Sequence, residues 1–137
     1  MFKYKTFIGE NSLYNTPPCF TIYICALVTR WVMKMGPDRL YRQNVEKAAK
    51  IYRAIDSSKF YKGTAVPECR SDMNVTFRLP NEQLEEQFGK EAEKRDMKGL
   101  KGHRSVGGLR ASIYNAFPVE GVDALVSFMK EFEQKNG

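Results

Sequence analysis

The sequence predicts an α+β fold: a short, mainly antiparallel sheet with helices packed on one face, preceded by a long apolar helix. Two periodicities carry this. Met73, Val75, Phe77 and Leu79 alternate with Asn74, Thr76 and Arg78, and beyond a glycine-bearing turn Leu109, Ala111 and Ile113 alternate with Arg110, Ser112 and Tyr114. Period two marks half-buried strands. Around these lie stretches with apolar residues at three- and four-residue steps, the mark of helices with one buried face. There is no internal repeat, low-complexity tract or long linker.

Each element follows in order. Residues 1–14 read as an extended entry segment. Thr16 suits an N-cap and Pro17 a first helical position, which predicts a helix from there to Met35. That helix carries Phe20, Ile22, Tyr23, Ile24, Leu27, Val28, Trp31 and Val32 on nearly every face, so it requires cover on nearly every side. Gly36 stops it and Pro37 opens a second helix, to Asp56, with Val45, Ala48, Ala49, Tyr52 and Ile55 as its buried stripe and Arg42, Glu46 and Lys50 solvated. Phe60-Tyr61 reads as a short strand and residues 62–71 as loop. Asn81 caps a helix to about Asp96 whose Leu84, Phe88 and Ala92 face inward; a short strand follows near Leu100-Lys101. The last helix starts at Pro118 and buries Val122, Leu125, Val126, Met129 and Phe132.

The 137 residues, 42% of them hydrophobic, are enough for one sizeable core. A net charge of +6 favours anionic partners, yet the 22 basic residues are interspersed with 16 acidic ones, so no basic stripe argues for nucleic acid. Cys19, Cys25 and Cys69 form no CxxC pair, and the single histidine leaves no zinc set; no metal is expected, and the thiols are expected to be free in a reducing cytosol. The N-terminal residues lack the apolar core of a signal peptide, and the apolar run at 19–28 is too short to span a bilayer. The expectation is a cytoplasmic protein with no membrane association.

The chemistry concentrates in residues 102–116. His103 and Arg104 precede the pair Gly107-Gly108, and Arg110 follows on the strand. A solvated turn is the plain reading of Gly-His-Arg. The spacing favours another: guanidinium groups present a rigid fork of donors that matches carboxylate or phosphate, and an arginine mounted on a strand loses little freedom on binding. His103, Arg104 and Arg110 are therefore expected to converge on a small anion. Asn15 and Thr16 read as simple caps or as a side-chain anion site; Pro17 and Pro18 lack the amides that usually cradle an anion at a helix start. No lysine lies in a pattern that argues for a depressed pKa.

Three runs carry a family resemblance: Ser12-Leu13-Tyr14-Asn15-Thr16-Pro17-Pro18-Cys19-Phe20, Arg70-Ser71-Asp72-Met73-Asn74-Val75, and Leu100 through Ala116. Over essentially its whole length the chain resembles the C-terminal portion of the phosphoserine aminotransferase family, class-V pyridoxal-phosphate enzymes of fold type I, α/β in their larger part. The resemblance implies residues 1–35 as the end of the large cofactor domain with its linking helix, and 36–137 as the small domain. It implies transfer of an amino group between glutamate and 3-phosphohydroxypyruvate, in serine biosynthesis. Arg110 would hold the substrate α-carboxylate, and His103 with Arg104 the phosphate or the distal carboxylate of glutamate. Asn15 and Thr16 would reach the phosphate of pyridoxal 5'-phosphate in the neighbouring subunit of a homodimer. The family's Schiff-base lysine, ring-stacking aromatic residue and pyridine-pairing aspartate lie upstream of the matched region, so no catalytic residue is assigned here. The chain alone is expected to be inactive. A non-catalytic dimerisation or anion-binding module is the alternative. Pro37 stands where the family usually has a second glycine.

Overall fold

A computed structural model describes residues 3–137. The chain divides into two compact units, Met1–Pro37 and Asp38–Gly137, each described by itself.

In the first unit, α1 spans Tyr4–Ile8 and α2 spans Cys19–Met35. The extended entry segment expected over residues 1–14 is thus corrected to a short helix followed by a turn; residues 1 and 2 lie outside the described residues. No strand among the described residues pairs with this stretch, so its backbone closes on itself: Ser12 N–H donates to the Phe7 carbonyl at 2.8 Å, with Asn11 and Ser12 in the left-handed region. Helix α2 also starts later than expected. Pro18 is its N-cap, and neither Thr16 nor Pro17 occupies the position assigned to it. The tandem prolines explain this, because a residue that precedes proline is driven out of the helical region, and both Thr16 and Pro17 do so. Gly36, at φ 85°, ends α2. None of the residues of α2 is buried, although Phe20, Ile22, Tyr23 and Val28 are large and apolar.

The second unit holds α3 (Pro37–Asp56, its first residue belonging to the other unit), β1 (Lys62–Gly63), β2 (Asn74–Arg78), α4 (Glu82–Glu93), β3 (Leu109–Ser112) and α5 (Val119–Asn136). The strands form one antiparallel sheet in the order β1-β2-β3, with Thr76 opposite Arg110 and Asn74 opposite Ser112. The strand expected at Phe60-Tyr61 lies two residues later. The amides of Phe60 and Tyr61 are taken by Ser58 Oγ at 2.9 and 3.1 Å, so the ladder begins only at Lys62. The expected strand near Leu100 shrinks to one bridge, Lys101 to Leu109.

Strand alternation sorts the sheet into two faces. Val75, Phe77, Leu109 and Ala111 turn into a single core with Ala48, Ile51 and Ile55 of α3, Phe88 and Ala92 of α4, and Val122, Phe128 and Phe132 of α5. Phe88 is its centre, with ring centroids of Phe128, Phe132 and Phe77 at 4.7, 5.1 and 6.0 Å in tilted or edge-on contact. Such pairs add about 0.5–1.5 kcal/mol each beyond their buried area. Since all three helices cover the same face, the other side of the sheet presents Asn74, Thr76, Arg78, Arg110 and Ser112, all half-buried.

Two core residues of α3 depart from the expected stripe. Asn44 and Lys47 are buried, whereas Val45 and Ala49 are only half-buried. Lys47 Nζ donates to the carbonyls of Ile113, Tyr114 and Phe117 at 2.9, 2.8 and 3.2 Å. Burial lowers its pKa below the ordinary lysine value, which corrects the expectation that no lysine occupies such a setting. The three carbonyls favour the charged form, since each accepts from the ammonium.

Candidate functional site

The 102–108 segment is a closed loop. Gly102 N–H donates to the Gly108 carbonyl at 2.8 Å across its base, and Val106 and Gly107 N–H both donate to the His103 carbonyl, at 3.0 and 2.8 Å. Glycine is required three times. A β-carbon at Gly102 would lie 2.1 Å from the Gly107 carbonyl oxygen, while Gly107 and Gly108 adopt φ of 71° and 73°. The loop turns His103 and Arg104 toward a hollow of about 480 Å³, which is also lined by Arg78, Glu82, Glu85, Lys90 and Lys101. His103 Nδ1 pairs with Ser105 Oγ at 2.8 Å, which fixes the ring at the loop's tip.

The charges in this hollow are mixed, and two ion pairs match part of them. Arg78 faces Glu85 at 3.3 Å, and Lys90 holds Glu86 at 2.8 Å, drawing that carboxyl below the usual range. His103, Arg104 and Lys101 have no acidic partner among the described residues. Lys101 and Arg104 thus stand in the hollow as charges without an ion-pair partner among the described residues, with the His103 ring beside them.

Arg110 does not line that hollow. It stands on the helix-free face of the sheet opposite Thr76, its backbone N–H bonded to the Leu100 carbonyl at 2.7 Å. Its Nε is buried without a hydrogen-bond partner. A buried donor left unpaired costs about 1–3 kcal/mol, so this Nε is a donor that lacks its acceptor. The structure thus brings His103 and Arg104 together but leaves Arg110 outside their hollow, which corrects the expectation that all three converge; Arg110 lies on the strand that follows their loop, its alternation directing it to the helix-free face. Asn15 and Thr16 belong to the first unit; both are exposed, and neither caps α2. The capping explanation for them is therefore removed.

Sequence reasoning missed Arg78, although the signal was present. Alternation puts Arg78 on the polar face of β2, and the Phe77 to Leu109 register carries it beside Gly108. Its Nη2 donates to the Val106 carbonyl. Among the described residues no cluster of three metal-ligating side chains occurs, and no single helix is long and apolar enough to cross a membrane.

The architecture is an α+β layer in which a glycine-closed loop carrying His103 and Arg104 leads into the strand that bears Arg110. The sequence profile of the class-V aminotransferases matches residues 1–125, and the chain belongs to that family. Among its relatives, the phosphoserine aminotransferase of Desulfosudis oleivorans is 59% identical over 100% of this chain and 38% of that protein. The solved phosphoserine aminotransferase of Bacillus circulans subsp. alkalophilus superposes with a TM-score of 0.89 at 51% identity, over 98% of this chain and 38% of that one. A pyridoxal-phosphate-bound phosphoserine aminotransferase from Trichomonas vaginalis gives 0.81 at 40% identity, over 93% and 37%. The chain spans well under half the length of these relatives.

Proposed function

We propose that this chain forms the substrate-anion part of a phosphoserine aminotransferase, which moves an amino group between glutamate and 3-phosphohydroxypyruvate in serine biosynthesis. The observation that carries the reading is the placement of His103 and Arg104 on one hydrogen-bonded loop in one hollow, directly ahead of the strand that presents Arg110. Arg110 clamps the α-carboxylate through its fork, and His103 with Arg104 holds the phosphate of one substrate or the distal carboxylate of the other. Both substrates are multiply charged anions, and cations fixed in a partly dry setting attract them more strongly than the same charges in water. The loop's hydrogen bonds keep the cations in place before the anion arrives, so little order is lost on binding.

The amide of Asn15 and the hydroxyl of Thr16, exposed and uncommitted to capping, fit the phosphate end of pyridoxal 5'-phosphate held by the neighbouring subunit of a homodimer. When bound, that cofactor supplies the electron sink for the amino transfer. The apolar, unburied α2 supports a surface covered by further protein, and the proposed setting is cytoplasmic. A non-catalytic anion-binding module is the second reading, since every residue given a role here binds and none forms a covalent bond.

The test is a chimera in which this chain replaces the matching part of the Desulfosudis relative. It is expected to transaminate phosphoserine and to prefer it to serine, with the preference lost in Arg104→Ala. A soluble, cofactor-loaded chimera that treats phosphoserine and serine alike contradicts the proposal.

A further inference from the structure

Arg78 lies on a different strand from the loop that carries His103 and Arg104, yet its side chain makes the principal contacts from outside that loop. Its Nη2 donates to the Val106 carbonyl, at the loop's far end, and its Nη1 points to the Glu85 carboxylate of α4, 3.3 Å away. Glu85 is itself fixed, since its Oε1 accepts from the Leu79 amide at 3.3 Å and its side chain is only 10% exposed. The arginine stem passes directly under the glycine pair. A β-carbon at Gly108 would lie 2.9 Å from Arg78 Cδ, and one at Gly107 3.1 Å from Nη1. Gly107 and Gly108 thus serve two ends: they supply the left-handed backbone, and they leave room for this guanidinium.

The charge balance sharpens the point. With Arg78 committed to Glu85 and Val106, it has little positive charge to spare for a ligand, whereas Arg104 and His103 have no acidic partner. We propose that Arg78, braced by Glu85, is a positioning residue that fixes the 102–108 loop and thereby sets the affinity of His103 and Arg104 for a phosphate group. This rests on the reading of that loop as the phosphate-binding element. Lysine is a poor replacement, because its shorter side chain carries one ammonium where the arginine places two separate nitrogens, Nη1 toward the Glu85 carboxylate and Nη2 toward the Val106 carbonyl. Methionine preserves the stem beneath the glycines and removes every donor.

His103 is the chain's only histidine, so its ring resonances report on the loop without overlap. The experiment titrates inorganic phosphate into histidine-labelled chain and follows those resonances by NMR, alongside thermal unfolding. Arg78→Met is expected to weaken phosphate by about tenfold in chain that is still folded at the titration temperature, with a lowered unfolding midpoint because Glu85 loses its partner. Arg78→Lys should fall near Arg78→Met, and Lys130→Met, which removes a distant surface charge, near the parent. Should Arg78→Met fail to fold, Glu85→Gln is measured in its place and is expected to weaken phosphate in the same direction. Full affinity in Arg78→Lys, equal weakening in Lys130→Met, or parent-like binding in both Arg78→Met and Glu85→Gln overturns the role of Arg78. A parent chain whose His103 ignores phosphate overturns the loop reading beneath it as well.

Discussion

Buried Lys47 donates to the Ile113 carbonyl at 2.9 Å, joining the middle of α3 to the end of the strand that carries Arg110. The same ammonium takes the Tyr114 and Phe117 carbonyls, and Asn44 reaches Asn115 at 2.6 Å, so the whole turn from β3 to α5 is gathered onto one helix. Strand β3 is thereby fixed at both ends, by the closed loop before it and by this turn after it.

Lys47→Met is expected to destabilise the unit by about 3 kcal/mol, because it leaves buried carbonyls without their donor at nearly unchanged side-chain volume. Urea unfolding followed by tyrosine fluorescence measures it. A loss below about 1 kcal/mol would mean that water replaces the ammonium without penalty.

Two glycines that look alike in sequence should behave in opposite ways. Gly102→Ala forces a β-carbon to within 2.1 Å of a backbone oxygen and is expected to cost about 2 kcal/mol or more and to weaken anion binding. Gly89→Ala, inside α4 with nothing within 4 Å of the new carbon, is expected to stabilise by about 0.5–1 kcal/mol. Thermal unfolding of the two variants decides between them.

Alkaline pH should weaken the second unit. Tyr61 is buried and donates to the Met129 carbonyl at 2.8 Å, and burial holds its phenol well above the ordinary tyrosine value. The unfolded chain releases this proton near pH 10 while the folded chain keeps it, so stability is full below about 10 and falls as pH rises above it. Tyr52, also raised by burial, acts in the same direction; Lys47, lowered, opposes both. Tyr61→Phe is expected to cost about 1 kcal/mol at neutral pH and to make the alkaline loss shallower. Unfolding free energies from pH 8 to 11 test this, and an unchanged slope would refute it.

Legibility in the sequence follows the range of the forces involved. Strands β2 and β3 and the stripe of α5 were readable because a face either enters the core or does not, and the alternation of Val75, Phe77, Leu109 and Ala111 states that choice locally. Asn81 capped as expected, its side chain accepting from Leu84 N–H at 2.9 Å. The start of α2 was misplaced because a favourable cap at Thr16 was weighed without the effect of one proline on the residue before another. Lys47 was invisible for a different reason: the carbonyls that make its burial tolerable lie 66 to 70 residues away. The glycine pair announced a close approach, but only the register of β2 against β3 identifies Arg78 as what approaches.

The central claim concerns where each charge of a substrate rests. A crystal structure of the chain with phosphoserine tests it most directly. The expected result puts phosphate oxygens within about 3.2 Å of His103 and Arg104, and the carboxylate in the fork of Arg110. Phosphoserine bound with its phosphate on Arg110, or on a basic surface away from the 102–108 loop, would contradict it.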